Sequence, residues 1–273
     1  MERRLPLAGP DEAVWIRREH PYHTETVIRW GLQEGFRCFI VWGGDGTLHR
    51  TVRNFHELDL WSQASLGLVP VGSCNDWGRH LGLAPGDIAG ALEFLRQGRP
   101  VRVDVGFATW VGREGKRQAI PFLNNAGFGR SLDAIREGWG PVRNVFDFKP
   151  RSLRIEADGE VEEGRFLMGV VCNGPFFSGG LRFSGSTSAR DARLDGFFTR
   201  ETGPWPLLGR LALGRLGRPL LNDGILEMDG AALRVASRED LWIQADGELL
   251  SEEAARMVEF SVMPQKLAFQ LPT

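Results

Sequence analysis

The sequence has few cysteines, and their positions form no recognisable pattern. Its 273 residues include only Cys38, Cys74 and Cys172, which are far apart and lack the spacing of zinc ligands. Unpaired thiols are typical of proteins in a reducing compartment, where disulfide bonds are rare. The sequence therefore argues against a structural zinc site and against a disulfide-bonded secreted fold.

Long hydrophobic runs are also missing. The longest unbroken apolar runs, such as FLMGVVC at 166–172, are much shorter than the roughly 20 residues that a helix needs to cross a bilayer. The first residues, MERRLPLAGPDEAVW, lack the apolar core of a signal peptide. These features predict a soluble, cytoplasmic protein.

Neither sign of charge is in excess. Lysine and arginine together number 33, aspartate and glutamate 35, and the formal net charge is −2. Nucleic-acid-binding proteins usually carry a strong positive field, so we expect no nucleic-acid partner.

The order of hydrophobic patterns divides the chain into two parts. Up to about residue 100, apolar strand patterns alternate with helical patterns, which is typical of a parallel sheet covered by helices. Within this part, residues 86–98 predict a helix that turns Ile88, Ala91, Leu92 and Leu95 inward. After residue 100, short strands with period-two alternation follow one another, as in a β-sandwich. We therefore predict an α/β domain over 1–100 and a β-sandwich domain over 101–273.

A glycine-rich turn follows the buried strand CFIVW. It consists of Gly43, Gly44, Asp45, Gly46 and Thr47, and a helical pattern begins at once. Glycines at the carboxyl end of such a strand let backbone N–H groups face a phosphate, and the helix N-terminus favours an anion. The P-loop pattern and the third glycine of a dinucleotide fingerprint are both missing from the sequence. The turn therefore predicts a phosphate site of another kind.

Six segments in order resemble a known family. They are GGDGT (43–47), PVGSCNDWGRHLG (70–82), FLNNAGFG (122–129), CNGPFFSGGLRFS (172–184), ARLDGFF (192–198) and QADGELL (244–250). Together they resemble the diacylglycerol kinase catalytic-domain family, which includes bacterial soluble lipid kinases and sphingosine kinases.

The resemblance implies a Rossmann-like nucleotide domain of the NAD kinase/diacylglycerol kinase type, followed by a β-sandwich. It implies an ATP-dependent, Mg²⁺-requiring lipid kinase that phosphorylates a hydroxyl of a diacylglycerol-like or long-chain lipid at the inner membrane face. The nucleotide contacts it implies are Gly43, Gly44, Asp45, Gly46, Thr47, Ser73, Asn75 and Asp76. It also implies a Mg²⁺ site at Asp195, with the main-chain carbonyls of Ala192 and Phe197.

The segment QADGELL carries the general base that the resemblance implies. Asp246 and Glu248 are two residues apart, so in an extended strand their side chains would share a face. We predict that Glu248 is the base and that Asp246 supports it. Asp-Gly pairs are often simple turns, and we interpret Asp158-Gly159 and Asp229-Gly230 in that way.

The sequence departs from the family in several places. His49 and Arg50 stand where the family has an amide and an acid, and Ser73 and Cys74 replace threonine and glycine. The family's opening strand, which ends in Asn-Pro-x-x-Gly, has no counterpart before the first strand, and the parallel sheet would then have a gap or an exposed edge. Truncation and divergence both explain this. A catalytically impaired lipid- or nucleotide-binding relative therefore stays open as an alternative, as do a homodimer and the identity of the lipid.

Overall fold

The computed structural model describes residues 2–6, 12–16, 23–112, 114–129, 149–183, 186–203, 224–250 and 255–271, with a few isolated positions between 206 and 220. The helices with defined bounds are α1 (His23–Gln33), α2 (Asp45–Glu57), α3 (Asp76–His80) and α4 (Ile88–Gln97). The strands are β1 (Glu2–Pro6), β2 (Glu12–Ile16), β3 (Cys38–Gly43), β4 (Ser65–Pro70), β5 (Arg99–Val111), β6 (Arg117–Phe122), β7 (Asn125–Phe128), β8 (Arg151–Ala157), β9 (Glu160–Cys172), β10 (Leu194–Arg200), β11 (Ile225–Gly230), β12 (Ala232–Leu241), β13 (Ile243–Ala245), β14 (Glu248–Leu249) and β15 (Ala255–Leu271).

The N-terminal half is an α/β unit built on parallel strands. β3 pairs in parallel with β4, from Cys38 opposite Ser65 to Gly43 opposite Pro70. The segment TLHRTVRNFHEL predicts a helix with Leu48, Val52, Phe55 and Leu58 on one face. Helix α2 buries the first three side chains against this sheet, and Leu58 packs partly buried against the same cluster. Because β3 and β4 end at the same edge, the two glycine-rich segments that follow them are brought together.

Helix α4 differs from the prediction in the face that it buries. Ala91 is fully buried, and Leu95 packs beside it against Val69. Ile88 and Leu92, predicted to point inward, have exposed fractions of 40% and 48%. The helix covers β4 near the margin of the sheet, so only one side of its apolar stripe finds a surface to cover.

The C-terminal half is a β-sandwich. Its strands form two groups of neighbours within one hydrogen-bonded sheet. One group consists of β8, β12 and the first part of β15, and the other of β7, β9, β10 and β13. Side chains from both groups meet in one apolar cluster that includes Phe122, Phe166, Phe198 and Phe260. Phenylalanines of this size bury large apolar areas, which stabilise the packing of sheet on sheet.

The longest strands tie the two halves together. β5 and β15 pair in antiparallel fashion from Val258 opposite Trp110 to Leu271 opposite Arg99. The end of β15 also pairs in parallel with β4, and Phe269 is buried in the core of the N-terminal half. The last strand therefore crosses back over the boundary predicted near residue 100, although the division into 1–100 and 101–273 stays a prediction.

One edge of the sheet is formed by β3. In the described part of the chain β3 pairs with β4 alone, while β1 and β2 form a separate hairpin. Ile40 and Trp42 on β3 have exposed fractions of 52% and 39%. Of the gap and the exposed edge that the sequence leaves open, the described residues show an exposed edge.

Candidate functional site

The glycine-rich turn begins helix α2. Gly44 lies at the N-cap position, and its carbonyl accepts hydrogen bonds from the backbone N–H groups of Thr47 and Leu48, at 3.0 and 3.1 Å. The loop after β4 runs alongside, where the Val71 N–H donates to the Gly43 carbonyl at 3.1 Å. The two segments predicted to bind a nucleotide therefore form one surface at the carboxyl ends of β3 and β4.

A close approach of two backbones explains why position 44 is a glycine. A Cβ atom on Gly44 would lie 2.8 Å from the Cα atom of Gly72. The φ angle of Gly44 is −101°, which other residues adopt readily, so conformational freedom is not the reason. The space beside Gly44 is thus occupied by the loop after β4, and the sequence did not indicate this contact between the two loops.

We expect Gly44→Ala to cost about 1–3 kcal/mol in the free energy of unfolding, because the added methyl group would push the two loops apart. Gly46→Ala is the matched control, since its Cβ would meet only the end of the Glu248 side chain, at 3.4 Å. Alanine at that helical position should be neutral or stabilising by up to about 1 kcal/mol. Urea denaturation of both variants measures the difference. Equal stability of Gly44→Ala and the wild type would contradict the close approach.

The acids of the two loops are held close together. The Asp45 carboxylate accepts hydrogen bonds from the backbone N–H groups of Asp76 and Trp77, at 3.0 and 3.2 Å, at the start of α3. Asn75 adopts a left-handed conformation, and its side-chain amide bonds to both the N–H and the carbonyl of Gly72. Asn75 therefore shapes the loop, and Asp45 joins the first loop to the second.

Asp76 connects the N-terminal half to the sandwich. Its carboxylate accepts hydrogen bonds from the backbone N–H groups of Gly179 (3.1 Å) and Gly180 (2.8 Å), and the residue is 5% exposed. Burial, followed by the charge of Asp45, raises the pKa of Asp76 to about 6 from 3.8, against the effect of the two N–H groups. Burial of Asp76 and the negative charge of Asp45 both favour a proton or a cation at Asp76.

The raised pKa of Asp76 predicts a pH dependence of stability. The folded state holds the proton of Asp76 more tightly than the unfolded state, so protonation of Asp76 stabilises the fold. This stabilisation is complete below pH 3.8 and is lost as the pH rises through about 6. The loss corresponds to about 3 kcal/mol in the free energy of unfolding. We expect Asp76→Asn to reduce the fall in stability between pH 4 and pH 7 by about that amount, measured by urea denaturation without divalent cations.

Asp59→Asn is the control for the Asp76 measurement. Asp59 is an exposed carboxyl with a positive φ of 50°, a conformation that asparagine tolerates. Its substitution should leave the pH profile of stability as in the wild type. A profile of Asp76→Asn that matches the wild type would show that Asp76 is not the group responsible.

The segment QADGELL forms a tight hairpin and not a continuous extended strand, so the prediction that Asp246 and Glu248 share one face is wrong. Asp246 and Gly247 have φ values of 46° and 80°, and Ala245 pairs with Glu248 across the turn. Positive φ at both central residues is the geometry of a type I′ turn, for which Asp-Gly is a preferred sequence. The two carboxylates consequently have different partners.

The carboxylate of Asp246 is buried and fully engaged. It accepts hydrogen bonds from the backbone N–H groups of Leu123 (2.9 Å), Asn124 (2.8 Å) and Asn125 (3.2 Å). The Nδ1 atom of His49, on α2, lies 3.1 Å from the same carboxylate, and both side chains are almost inaccessible. Asp246 thus fastens the hairpin to helix α2 and to the segment before β7.

Glu248 lies against the glycine-rich turn. Its Oε1 atom is 3.4 Å from the position of a Cβ atom on Gly46. The same oxygen accepts hydrogen bonds from Nε and Nη2 of Arg50, at 3.1 and 2.8 Å. The structure therefore places the predicted base beside the predicted phosphate site, with Arg50 as its partner.

A cleft opens between the two halves at this point. It is lined by Asp45, Cys74, Asp76, Asn124, Asn125, Phe177, Ser178, Gln244, Asp246 and Gly247. The Oδ1 atom of Asn124 and the Oγ atom of Ser178 are buried without a hydrogen-bond partner. Unpaired buried polar atoms are costly, so their presence in a cleft indicates places for ligand atoms.

Several of these lining residues were not predicted as site residues. Asn124 and Ser178 lie in segments that carry the family resemblance, and this was the available signal for them. Cys74 stood out only as a departure from the family pattern. Conversely, the lining does not include the predicted base Glu248 or the predicted nucleotide contacts Gly43, Gly44, Gly46, Thr47, Ser73 and Asn75, and Ser73 is exposed.

The three residues predicted for a metal lie on or just before β10. Ala192 has a left-handed conformation and donates its N–H to the buried Asp104 at 2.8 Å, while Phe197 is in the interior of the strand. Asp195 accepts a hydrogen bond from Thr187, but burial and then Asp191 and other acids raise its pKa. Among the described residues no group of three or more His, Cys, Asp or Glu side chains could hold a metal ion, so a site here would depend on main-chain oxygens.

Two domain families match the sequence. The diacylglycerol kinase catalytic domain matches residues 5–108, and the YegS C-terminal NAD kinase beta sandwich-like domain matches residues 125–270. The chain belongs to the diacylglycerol kinase catalytic-domain family. An α/β catalytic domain followed by a β-sandwich is therefore confirmed as its architecture.

Named relatives agree with this assignment to the diacylglycerol kinase family. Proteins named diacylglycerol kinase from Staphylococcus aureus strains bovine RF122 / ET3-1 and JH9 are each 29% identical over 238 residues, which is 80% of this chain and 70% of the relative. A crystal structure of a putative diacylglycerol kinase from Bacillus anthracis str. Sterne has a TM-score of 0.71 at 22% identity and covers 93% of this chain and 84% of that one. A second structure from the same strain has a TM-score of 0.68 at 22% identity, covering 93% of this chain and 83% of that one. At these identities the two structures show a common fold.

Proposed function

We propose that this member of the diacylglycerol kinase family is an ATP-dependent, Mg²⁺-requiring lipid kinase that phosphorylates a hydroxyl of a diacylglycerol-like or long-chain lipid. One observation carries the proposal. Carboxylates from both glycine-rich loops and from the Asp246-Gly247 turn line one cleft, and Glu248 lies against the glycine-rich turn. Phosphoryl transfer depends mainly on positioning and charge stabilisation, which such a cleft could provide.

The donor atoms in the cleft fit Mg²⁺. The charge of Asp45 contributes to the raised pKa of Asp76, so a cation between the two would relieve an unfavourable arrangement. Carboxylate oxygens are the ligands that this ion prefers, and Asp45 and Asp76 would hold it. When bound, Mg²⁺ supplies positive charge that offsets charge on the phosphate oxygens. A second, structural Mg²⁺ at Asp195, with the carbonyls of Ala192 and Phe197, belongs to the same proposal.

The side chains of the cleft and of the adjacent hairpin have distinct roles in this proposal. Glu248 accepts the proton of the lipid hydroxyl as the general base. Asp246, whose oxygens are occupied by N–H groups and His49, positions the hairpin that carries Glu248. Asn124 and Ser178 offer hydrogen bonds to the ligands, and Phe177 forms an apolar part of the lining.

The lipid substrate requires contact with a membrane. No helix in the described part of the chain is long and apolar enough to cross a bilayer. We therefore propose peripheral contact with the inner membrane face. The same chemistry is available to a monomer or a homodimer.

A phosphotransfer assay tests the proposal. The purified protein is incubated with ATP, Mg²⁺ and vesicles that contain diacylglycerol, a monoacylglycerol or a long-chain amino alcohol, with NAD as a separate acceptor. We expect a phosphorylated lipid that does not form when EDTA is present from the start. Binding of ATP or of the vesicles without any phosphorylated product would favour a catalytically impaired binding protein, and phosphorylation of NAD alone would reject the lipid substrate.

A further inference from the structure

Arg50 is the charged partner of Glu248 in the structure. Its Nε and Nη2 atoms both bond to Oε1 of Glu248, whereas Oε2 makes no hydrogen bond to the described residues. The two side chains are 35% and 27% exposed, so both are accessible to solvent beside the glycine-rich turn. The guanidinium group therefore fixes one oxygen and leaves the other available.

We infer that Arg50 is a positioning residue for the general base. This inference rests on the proposed function. Arg50 holds the carboxylate of Glu248 in one rotamer beside the glycine-rich turn, and so directs Oε2 to the acceptor hydroxyl. The carboxylate has lone pairs to spare, because two N–H donors on one oxygen leave the other oxygen able to accept a proton.

The geometry of helix α2 supports this role. His49 contacts Asp246, and the next residue, Arg50, contacts Glu248, so consecutive helix residues hold the two sides of one hairpin turn. The same helix begins at the glycine-rich turn, with Asp45 as its first residue. Helix α2 therefore carries both the end of the glycine-rich turn and the two residues that hold the hairpin of Glu248.

The exposure of the pair distinguishes positioning from a stabilising role. Ion pairs at partly exposed sites contribute little to stability, since water screens the charges. A glutamate side chain has several rotatable bonds, and a fork of two N–H groups restricts them. Loss of Arg50 should therefore affect the reaction much more than the fold.

The test compares Arg50→Gln and Arg50→Lys with the wild type on the lipid that the enzyme phosphorylates. We expect Arg50→Gln to lower kcat by about 10- to 100-fold, with the KM values for ATP and lipid nearly unchanged, because displacement of a catalytic group by about 1 Å has effects of this size. Arg50→Lys keeps the charge but loses the pair of N–H donors, so its kcat should lie between that of the wild type and that of Arg50→Gln. The denaturation midpoints should stay close to that of the wild type.

Arg53→Gln is the matched control. Arg53 is on the same helix and pairs with Glu57 one turn later, at 3.5 Å, so its substitution makes the same charge change without affecting Glu248. Its kcat should equal that of the wild type. The double variant Arg50→Gln/Glu248→Gln should be no slower than Glu248→Gln alone, because a positioning residue has nothing left to position.

The outcomes separate the inference from the proposed function. Additive losses in the double variant, or wild-type kcat in Arg50→Gln, would reject the positioning role while an active wild type upholds the kinase. A raised KM for ATP at constant kcat would make Arg50 a nucleotide contact and would also reject the inference. If the wild type phosphorylates no lipid, the proposed function fails, and the inference falls with it.

Discussion

Glu248→Gln should lower the turnover number by about 10²–10⁴-fold and leave the affinities for ATP and lipid nearly unchanged, because a positioned general base contributes that much to the rate. Glutamine has the same shape and can still accept a hydrogen bond from Arg50, so the hairpin should keep its position. It cannot accept the proton of the hydroxyl. The measurement is steady-state kinetics on the phosphorylated lipid, together with ATP binding by calorimetry.

The chain contains its own control for this substitution. The sequence Ala-Asp-Gly-Glu occurs at 157–160 as well as at 245–248. Glu160 follows the turn between β8 and β9 and is exposed. Glu160→Gln should therefore have wild-type kinetics. Near-normal turnover in Glu248→Gln would remove Glu248 as the base.

Asp246→Asn should lower the free energy of unfolding by about 3–5 kcal/mol, the cost typical of breaking a buried charged interaction. Whichever oxygen becomes the amide nitrogen, its N–H donors would face at least one backbone N–H group, which cannot accept a hydrogen bond. Urea denaturation measures the change. The backbone conformation is not at issue, because asparagine tolerates positive φ.

Asp158→Asn is the matched control, since Asp158 has the same φ of 46° at the same position of its turn. Its partner is Arg193 in an exposed ion pair, so the substitution should cost less than about 1 kcal/mol. Equal effects of the two substitutions would contradict the role of Asp246 as an anchor. Loss of activity in Asp246→Asn would not identify Asp246 as the base, because a misplaced hairpin also displaces Glu248.

Much of the local structure could be predicted from the sequence. The apolar face of α2 follows from the spacing of Leu48, Val52 and Phe55, which a helix places together whatever its surroundings. The inward face of α4 was predicted only in part. Ile88 and Leu92 have the right spacing, but no described surface covers them. Whether such a surface exists depends on which strands lie beneath the helix.

The glycine at position 44 shows a similar division. Its place between a strand and a helix predicted a phosphate site. Residues 5–108, which include Gly44, match the diacylglycerol kinase catalytic domain. The contact between Gly44 and Gly72 joins residues of separate loops. No local pattern carries that information, because it arises when β3 and β4 pair in parallel.

The two copies of Ala-Asp-Gly-Glu separate what the sequence determined from what the tertiary structure decided. The sequence by itself determined the turn, because Asp-Gly suits positive φ at both positions, and both copies adopt it. It could not determine which copy belongs to the cleft. At 245–248 the packing of α2 removes water from Asp246 and sets Arg50 beside Glu248, whereas at 157–160 the aspartate, the glycine and the glutamate face solvent at a hairpin tip. Burial and charged neighbours, which only the folded chain supplies, make one carboxylate an anchor and the next a candidate base.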